Sequence, residues 1–161
     1  MNEYSYKPDQ VKSILVKEKS NDNDLELVKV IKVIDGDTIV VSDGRSVRLI
    51  GVNTPECSFY KIEPYGIQAK KYTTYKLLGK SVWLQRDVSE VDRYHRSLRI
   101  VWLEKPVKRM DIDEIREKMF NAQLVLDGVA EAVSYYPDVT YGHCLGWLMG
   151  EAKGRGMGMW G

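Results

Sequence analysis

A chain of 161 residues, with 43% hydrophobic and 29% charged residues, has the size and balance of one ordinary globular domain. Its formal net charge of +1 argues against a protein that coats long stretches of nucleic acid, but permits one that grips one or two phosphates with a few arginines. No apolar run is long enough to span a bilayer, and the polar start of the chain lacks the apolar segment of a signal peptide. Two cysteines, Cys57 and Cys144, are too few for a disulfide scaffold and leave a single bridge open.

The spacing of apolar residues predicts the secondary structure. Residues 1–26 are polar and charged, which predicts a poorly ordered arm before a single folded domain at 27–161. Within that domain, β-branched runs and alternating apolar residues predict five strands, at 27–34, 38–41, 46–52, 81–85 and 98–103. Helical spacing with cap or stop residues predicts three helices, at 64–79, from shortly after Asp111 to Gly128, and at 141–153.

The order of these elements indicates the fold. The Asp43-Gly44 dipeptide favours a tight hairpin between the second and third strands, so the first three strands form an antiparallel meander. Five short strands interrupted by one helix are typical of an OB-type barrel. We therefore expect a mainly β, α+β fold, namely a five-stranded OB-fold barrel with about three packed helices.

The first candidate motif is Asp35-Gly36-Asp37-Thr38, which stands between the first two predicted strands. Two carboxylates so close together are costly unless they are exposed or bind a cation, and oxygen-rich turns of this kind suit calcium. Asp-Gly is also a common turn dipeptide, so the motif taken alone is more typical of a plain β-turn.

The second candidate motif runs from Arg48 to Glu56. Arg48 has apolar neighbours in a predicted strand, where a charge without a partner is expensive. Alternation places Arg48, Ile50 and Val52 on one face, so Arg48 should point inside or into a cleft. Pro55 stiffens the turn that carries Glu56. A salt-bridged arginine followed by a surface loop explains the same segment equally well.

The third candidate motif is Asp92-Arg93-Tyr94-His95-Arg96, in a predicted turn between two strands. Arginines on either side of an aromatic ring offer a grip for a phosphate and a base. A solvated charged turn is the more common outcome for such a segment taken alone. The motif therefore gains weight only in combination with the other two.

Together, in this order and at this spacing, the three motifs resemble the staphylococcal nuclease family. The likeness runs from about Val33 to Trp160 and includes an Asp-Gly-Asp-Thr turn, an Arg eight residues before the Glu of a Thr-Pro-Glu turn, and an Asp-x-Tyr-x-Arg loop. The segment 121–130 is similar to the family's second helix, and the Gly-x-Gly-Met-Trp end is similar to its closing segment. The resemblance implies an OB-fold nuclease.

The resemblance also implies a metal site and a base. Asp37 would bind one calcium ion together with the backbone carbonyl of Thr54, and Asp35 would lie behind these ligands. Glu56 would be the general base, or at least orient the attacking water. The family usually has Asp, a calcium ligand, where this chain has Asn53. An amide oxygen can still bind calcium but brings no charge, so we expect weaker calcium binding, with a different metal preference or a loss of activity as alternatives.

The substrate contacts are implied in the same way. Arg48 and Arg96 would bind the scissile phosphate and stabilise the negative charge that develops on it. Arg93 would contact the substrate, and Tyr94 would contact phosphate or support the loop. One of two neighbouring tyrosines would stack on a base, Tyr135 or Tyr136.

Two other departures from the family pattern carry less weight. His95 stands where the family commonly has glycine, and we expect a solvent-exposed loop histidine there rather than a proton donor. The stretch 104–118 is longer than its counterpart in the staphylococcal enzyme, and nothing in its sequence suggests a function.

The leading prediction is a calcium-dependent nuclease that hydrolyses DNA and RNA, prefers single-stranded or frayed substrate, leaves 3′-phosphates and acts as a monomer. The resemblance implies a secreted or cell-surface enzyme, whereas the lack of a signal peptide in this sequence keeps a cytoplasmic location open. The alternative function is a catalytically weakened OB-fold module that binds single-stranded nucleic acid. Such a module would be expected to lose Arg48, Glu56 or Arg96, and this chain keeps all three.

Overall fold

The computed structural model describes residues 24–161, so nearly all of the predicted arm at 1–26 lies outside the described residues. The strands in the described part are β1 (Leu25–Asp35), β2 (Thr38–Val41), β3 (Ser46–Leu49), β4 (Val52–Asn53), β5 (Ser81–Gln85), β6 (Ser97–Trp102) and β7 (Glu131–Ala132). The α-helices there are α1 (Gly66–Leu77), α2 (Ile112–Lys118), α3 (Phe120–Leu126) and α4 (Gly142–Gly154). A short 3₁₀ helix, Gly158–Trp160, follows α4. The start of the domain at residue 27 stays a prediction.

Five strands close into a barrel in the order β1-β2-β3-β6-β5, which confirms the predicted fold class. The length of β1 makes closure possible, because its first half pairs with β5 and its second half pairs with β2. Neighbouring strands are antiparallel except β3 and β6, which run parallel. The strands β4 and β7 form a small separate sheet beside the barrel.

The helices pack against the barrel and against one another. Helix α1 lies on β1, α3 lies on β6, and α4 lies on α3. Asn121, fully buried in α3, accepts a hydrogen bond from the Val101 amide at 2.9 Å and donates to the Ile50 carbonyl at 2.8 Å. These two bonds fasten the chain after β3 to the barrel. Cys57 and Cys144 are free thiols, so the bridge that the sequence left open does not form. No helix within residues 24–161 is long and apolar enough to cross a membrane.

The third strand is shorter than predicted, which corrects one expectation about side-chain direction. Strand β3 ends at Leu49 because Gly51 adopts a left-handed φ of 78°, a conformation that favours glycine and interrupts the predicted strand at 46–52. Val52 resumes an extended conformation in β4, in a different sheet. Arg48, Ile50 and Val52 therefore do not share one strand face. Ile50 and Val52 are buried and Arg48 is partly buried, but all three border the same cleft.

The helix predicted to follow Asp111 is divided in two. Asp111 caps α2 as expected, since its carboxylate accepts the backbone N–H groups of Asp113 at 2.9 Å and Glu114 at 3.2 Å. Met119 then leaves helical geometry, with φ −84° and ψ 116°, and forms a β-bridge with Trp102 at the end of β6. The break fits Met119 into the core, where it is fully buried.

Candidate active site

The Asp-Gly-Asp-Thr motif forms the turn from β1 to β2, and its second carboxylate is buried against the Thr-Pro-Glu turn. Asp37 is 7% exposed, and its Oδ1 accepts the Thr38 hydroxyl at 2.9 Å. Its Oδ2 accepts the backbone N–H of Thr54 at 3.0 Å. The bond from Thr54 joins two motifs, since its partners lie 17 residues apart in the sequence.

Gly36 is required because the two turns touch at this point. A Cβ atom at position 36 would lie 2.7 Å from Oγ1 of Thr54 and 2.9 Å from its Cβ. The Gly36 carbonyl also accepts the Thr73 hydroxyl of α1 at 2.6 Å, so the helix holds the turn from the other side. The turn is therefore closely packed between Thr54 and α1.

Gly36→Ala should destabilise the protein by about 1–3 kcal/mol, because the new methyl group would overlap a buried threonine. The matched control is Gly150→Ala on α4, where nothing lies within 4 Å of the new Cβ. That substitution should stabilise the protein by up to about 1 kcal/mol through helix propensity. Urea unfolding of both variants checks the pair, and equal stability of the two variants would show that the turns can separate.

Glu56 is held from three sides. Oε1 of Glu56 accepts the Ser58 hydroxyl at 2.7 Å. The backbone N–H of Glu56 donates to the Glu63 carboxylate at 2.9 Å, and the Glu56 carbonyl accepts the Glu63 N–H at 2.8 Å. At the start of α1, a Cβ atom on Gly66 would lie 2.2 Å from the Glu56 carbonyl oxygen, so glycine permits the close approach. The Glu56 carboxylate is thus oriented by the fold, as a base or a water-positioning group needs to be.

The carboxylates of the two turns influence one another. Asp35 accepts the backbone N–H groups of Gly36 at 3.0 Å and Cys57 at 3.2 Å. Burial raises the pKa of Asp35 above its ordinary value, and the neighbouring charges of Asp37 and Glu56 raise this pKa further. This local excess of negative charge favours the binding of a cation.

Arg48 lies between the carboxylate turn and the cleft. Its Nη1 donates to the carbonyl oxygens of Leu49 at 2.5 Å and Val52 at 2.8 Å. Its Nη2 lies 3.3 Å from the Asp37 carboxylate and 3.3 Å from Oδ1 of Asn53. The ion pair and the main-chain acceptors therefore offset the unfavourable free energy of burying this guanidinium group.

Arg96 sits in a tight loop that Asp92 organises. Asp92 accepts the Arg96 Nε at 2.8 Å and the backbone N–H groups of Tyr94 at 2.9 Å and Arg96 at 3.0 Å. Burial opposes ionisation of Asp92, but its hydrogen bonds from Arg96 outweigh burial and lower the pKa of this carboxyl. The guanidinium groups of Arg93 and Arg96 lie 4.9 Å and 5.4 Å from the centre of the Tyr94 ring. His95 is exposed, as expected, and takes a left-handed φ of 62°, a conformation that favours the glycine common in the family.

A cavity of about 480 Å³ brings most of the predicted substrate contacts together. We call it the arginine cavity; its predicted members are Arg48, Arg93, Tyr94, Arg96 and Tyr135. Tyr136 is not among its lining residues and is 90% exposed, so Tyr135 is the better placed of the two tyrosines. The predicted metal and base residues lie outside the lining, and Arg48 connects them to the cavity through its ion pair with Asp37.

Sequence reasoning named Asp92 within the third motif without giving it a role, although its i,i+4 spacing from Arg96 is typical of an ion pair. It missed two other supporting residues, Ser58 and Asp138. Ser58, which bonds Glu56, carries no distinctive signal in the sequence. Asp138 lines the arginine cavity and accepts the backbone N–H groups of Val88 at 3.0 Å and Ser89 at 2.7 Å. Asp138 thereby ties the segment that carries Tyr135 to the segment that leads into the arginine loop.

The oxygen atoms near Asp37 suit a hard cation, but few of them belong to charged groups. Carboxylate, amide and carbonyl oxygens are the ligands that calcium prefers. Beside Asp37, Oγ1 of Thr54 is buried and has no hydrogen-bond partner among the described residues. No three His, Cys, Asp or Glu side chains are grouped as metal ligands within residues 24–161. A cation here would therefore depend on one or two carboxylates and on neutral oxygens.

Comparison with known proteins places this chain in a family. The family model described as staphylococcal nuclease homologue matches residues 46–161. A thermonuclease of Staphylococcus hyicus is 41% identical over 127 residues, which cover 76% of this chain and 68% of that protein. A thermonuclease of Staphylococcus intermedius is 35% identical over 149 residues, which cover 89% of this chain and 82% of that protein. The chain therefore belongs to the staphylococcal nuclease family and is a nuclease.

Proposed function

We propose that this nuclease hydrolyses single-stranded or frayed DNA and RNA with one bound calcium ion, acts as a monomer and leaves 3′-phosphates. The observation that carries the proposal is the arginine cavity, in which three arginines and two tyrosines of one chain converge beside the carboxylate turn. Arginine forks recognise phosphate, and aromatic rings recognise the face of an unstacked base. A base within a duplex stays stacked, so a frayed or single strand fits this cavity better.

The residues divide the chemistry between them. Glu56, oriented by Ser58, takes the proton of the attacking water or holds that water in line with the phosphorus. Arg48 and Arg96 stabilise the negative charge that develops on the phosphate oxygens. Arg96 bonds Asp92 through Nε, and its terminal nitrogens donate to no other group within residues 24–161. These nitrogens are therefore available to a phosphate.

Asp37, Asn53 and the Thr54 carbonyl would hold the calcium ion, with Asp35 behind them. When bound, the cation supplies positive charge that attracts the scissile phosphate and offsets its negative charge. Asp37 is already paired with Arg48 at 3.3 Å, so the two positive groups would share one carboxylate. This sharing, together with the neutral Asn53, leads us to expect weak calcium binding.

Asn53→Asp should tighten calcium binding by about tenfold or more, because affinity in oxygen sites rises with the number of charged ligands. The calcium concentration for half-maximal activity should fall in parallel. Asn53 is exposed, so the substitution leaves the core untouched. Calorimetric calcium titration of both proteins checks the prediction. Equal affinities would show that residue 53 is not a ligand.

The binding-only alternative receives support from one observation, namely that Oδ1 of Asn53 faces Arg48 instead of standing free for a cation. On that reading the wild type cuts nothing at any calcium concentration, and Asn53→Asp restores metal binding without turnover. A nuclease assay over a calcium series therefore separates the two functions.

Analysis of the products tests the reaction that we propose. Cleavage of an end-labelled single strand should yield fragments whose 3′ ends are blocked to polymerase extension until a phosphatase removes the terminal phosphate. Duplex of the same sequence should be cut more slowly, and faster near its ends than at its centre. Fragments with free 3′-hydroxyls would contradict the proposed bond, and equal rates on duplex and single strand would contradict the proposed substrate.

A further inference from the structure

A second aromatic feature lies close to Glu56 and has no role in the chemistry described above. Residues 57–62 form a closed turn, in which Cys57 and Ile62 make a β-bridge and the Ser58 N–H donates to the Lys61 carbonyl at 2.8 Å. Phe59 and Tyr60 occupy the tip of the turn and are 97% and 94% exposed. Their rings meet edge to face, with centres 5.4 Å apart. Two large rings held in water by an ordered turn suggest a contact surface.

A groove beside this turn continues the surface onto α1. The groove has a volume of about 500 Å³ and is lined by Cys57, Ile67, Lys70, Lys71, Thr74 and Tyr75. Cys57 belongs both to the turn and to the groove, so the two features adjoin. Tyr75 is 81% exposed, and the Lys80 ammonium lies 5.8 Å from the centre of its ring.

The charge of this region is one-sided, although the chain as a whole is nearly neutral. Between Glu63 and Asp87 there is no acidic residue, whereas four lysines and one arginine occur there. The chain's formal net charge is only +1, so positive charge is concentrated on α1 and at the two ends of β5. Exposed aromatic rings interleaved with lysines are the pattern by which proteins hold single-stranded nucleic acid.

We propose that Phe59, Tyr60, Lys70, Lys71 and Tyr75, here called the flanking surface, bind the single strand beside the scissile phosphate. The aromatic rings stack on bases, and the two lysines contact phosphates. The proposal rests on the proposed function, because it requires Glu56 to mark the point of cleavage. It adds a substrate-binding surface separate from the arginine cavity, since none of its residues lines that cavity.

Distance and mechanical connection support this assignment. Phe59 follows Glu56 by three residues, so their Cα atoms lie at most about 11 Å apart. That span corresponds to about three nucleotides of a strand with base stacking. Ser58, which bonds Glu56 at 2.7 Å, belongs to the same turn as the two rings. A strand that leaves the reaction centre on this side therefore meets the flanking surface within a few nucleotides.

The test compares substrates of two lengths. Phe59→Ala/Tyr60→Ala should raise KM for a single strand of about 20 nucleotides by about tenfold or more, because each lost stack removes a base contact. KM and kcat for a dinucleotide that fills only the arginine cavity should stay unchanged. Val107→Ala, which alters a side chain that is 76% exposed on another part of the surface, is the control and should change neither substrate's kinetics.

The lysines are tested through salt dependence. Lys70→Gln/Lys71→Gln should reduce the slope of log KM against log salt for the long strand by about 1.4, because two phosphate contacts are lost and each contributes about 0.7 on a single strand. The control Lys105→Gln/Lys108→Gln removes the same charge from the exposed loop before α2 and should leave the slope nearly unchanged.

Binding without cleavage separates this proposal from the proposed function. Fluorescence anisotropy with a labelled strand of about 20 nucleotides in excess chelator should show weaker binding for Phe59→Ala/Tyr60→Ala than for wild type. If wild type cuts neither substrate, the proposed function fails, while this difference in binding still tests the flanking surface. Unchanged affinity and KM of Phe59→Ala/Tyr60→Ala for the long strand would overturn the proposal. The flanking surface would then be more consistent with binding a protein partner. An equal loss of kcat/KM on the long strand and on the dinucleotide would also overturn the proposal, because the rings would then act on the reaction centre itself.

Discussion

Arg48→Lys and Arg96→Lys should each lower kcat on single-stranded DNA by about 10²-fold or more, with folding preserved. Lysine keeps the positive charge but has no planar fork with which to hold two phosphate oxygens at once. In Arg96 the Nε atom is engaged by Asp92, which aims the terminal nitrogens. A lysine at position 96 would use its single ammonium on Asp92 or on the phosphate, and could not serve both.

The two arginines should differ in what else they change. Arg48 also pairs with Asp37 at 3.3 Å and donates to the backbone carbonyls of Leu49 and Val52, so Arg48→Lys should alter calcium affinity as well as turnover. Arg96→Lys should leave calcium affinity unchanged. Arg86→Lys is the matched control, because Arg86 is half-exposed and pairs with Glu90 in a surface salt bridge. A rate near wild type in both cavity variants would show that these arginines are structural.

Glu56→Gln should reduce kcat by about 10²-fold to 10⁴-fold, because the change is nearly isosteric and removes the base. The amide can still accept the Ser58 hydroxyl, and the backbone bonds to Glu63 are unaffected. Folding should therefore survive, and thermal unfolding of the variant checks that it does. Glu117→Gln, an exposed change on α2, is the control for loss of one carboxylate.

Two further readouts separate a chemical role of Glu56 from a structural one. If Glu56 is the base, the acid limb of the kcat/KM profile against pH should disappear in Glu56→Gln. Ser58→Ala should give a smaller loss of kcat and keep that limb, because the carboxylate remains but is less well oriented. Unchanged kinetics with an unchanged pH profile in Glu56→Gln would place the base elsewhere, with His95 as the next candidate.

Much of the barrel could be predicted because local pattern and tertiary pairing agree there. Strand β2 has the predicted bounds, and the apolar run at the end of β6 places Ile100, Val101 and Trp102 in the core. The errors have one local and one tertiary cause. Gly51, in a left-handed conformation, ends β3 early, and an isolated glycine within a strand pattern is a known signal for such a break. Pairing with Trp102 pulls Met119 out of helical geometry, and this contact leaves no trace in residue spacing.

The candidate site was likewise predictable from the sequence in part. The three motifs could be found from the sequence because their residues are charged or bend the chain, and the fold brings most of the predicted contacts into one cavity. The residues that position these motifs were harder to find. Ser58 and Asp138 act through hydrogen bonds that only the folded chain reveals, and no spacing rule predicts them. The choice between Tyr135 and Tyr136 likewise depended on which ring lines the cavity.

The most direct measurement is the cleavage of heat-denatured DNA by protein freshly stripped of metal, first in excess chelator and then with added calcium. Calcium binding beside Asp37 and charge stabilisation in the arginine cavity are both needed for turnover in the mechanism proposed. Fragments should therefore appear only after calcium is added, and Glu56→Gln should yield almost none under the same conditions. Full cleavage in chelator would contradict the metal site, and intact DNA at every calcium concentration would contradict the catalytic role of these residues.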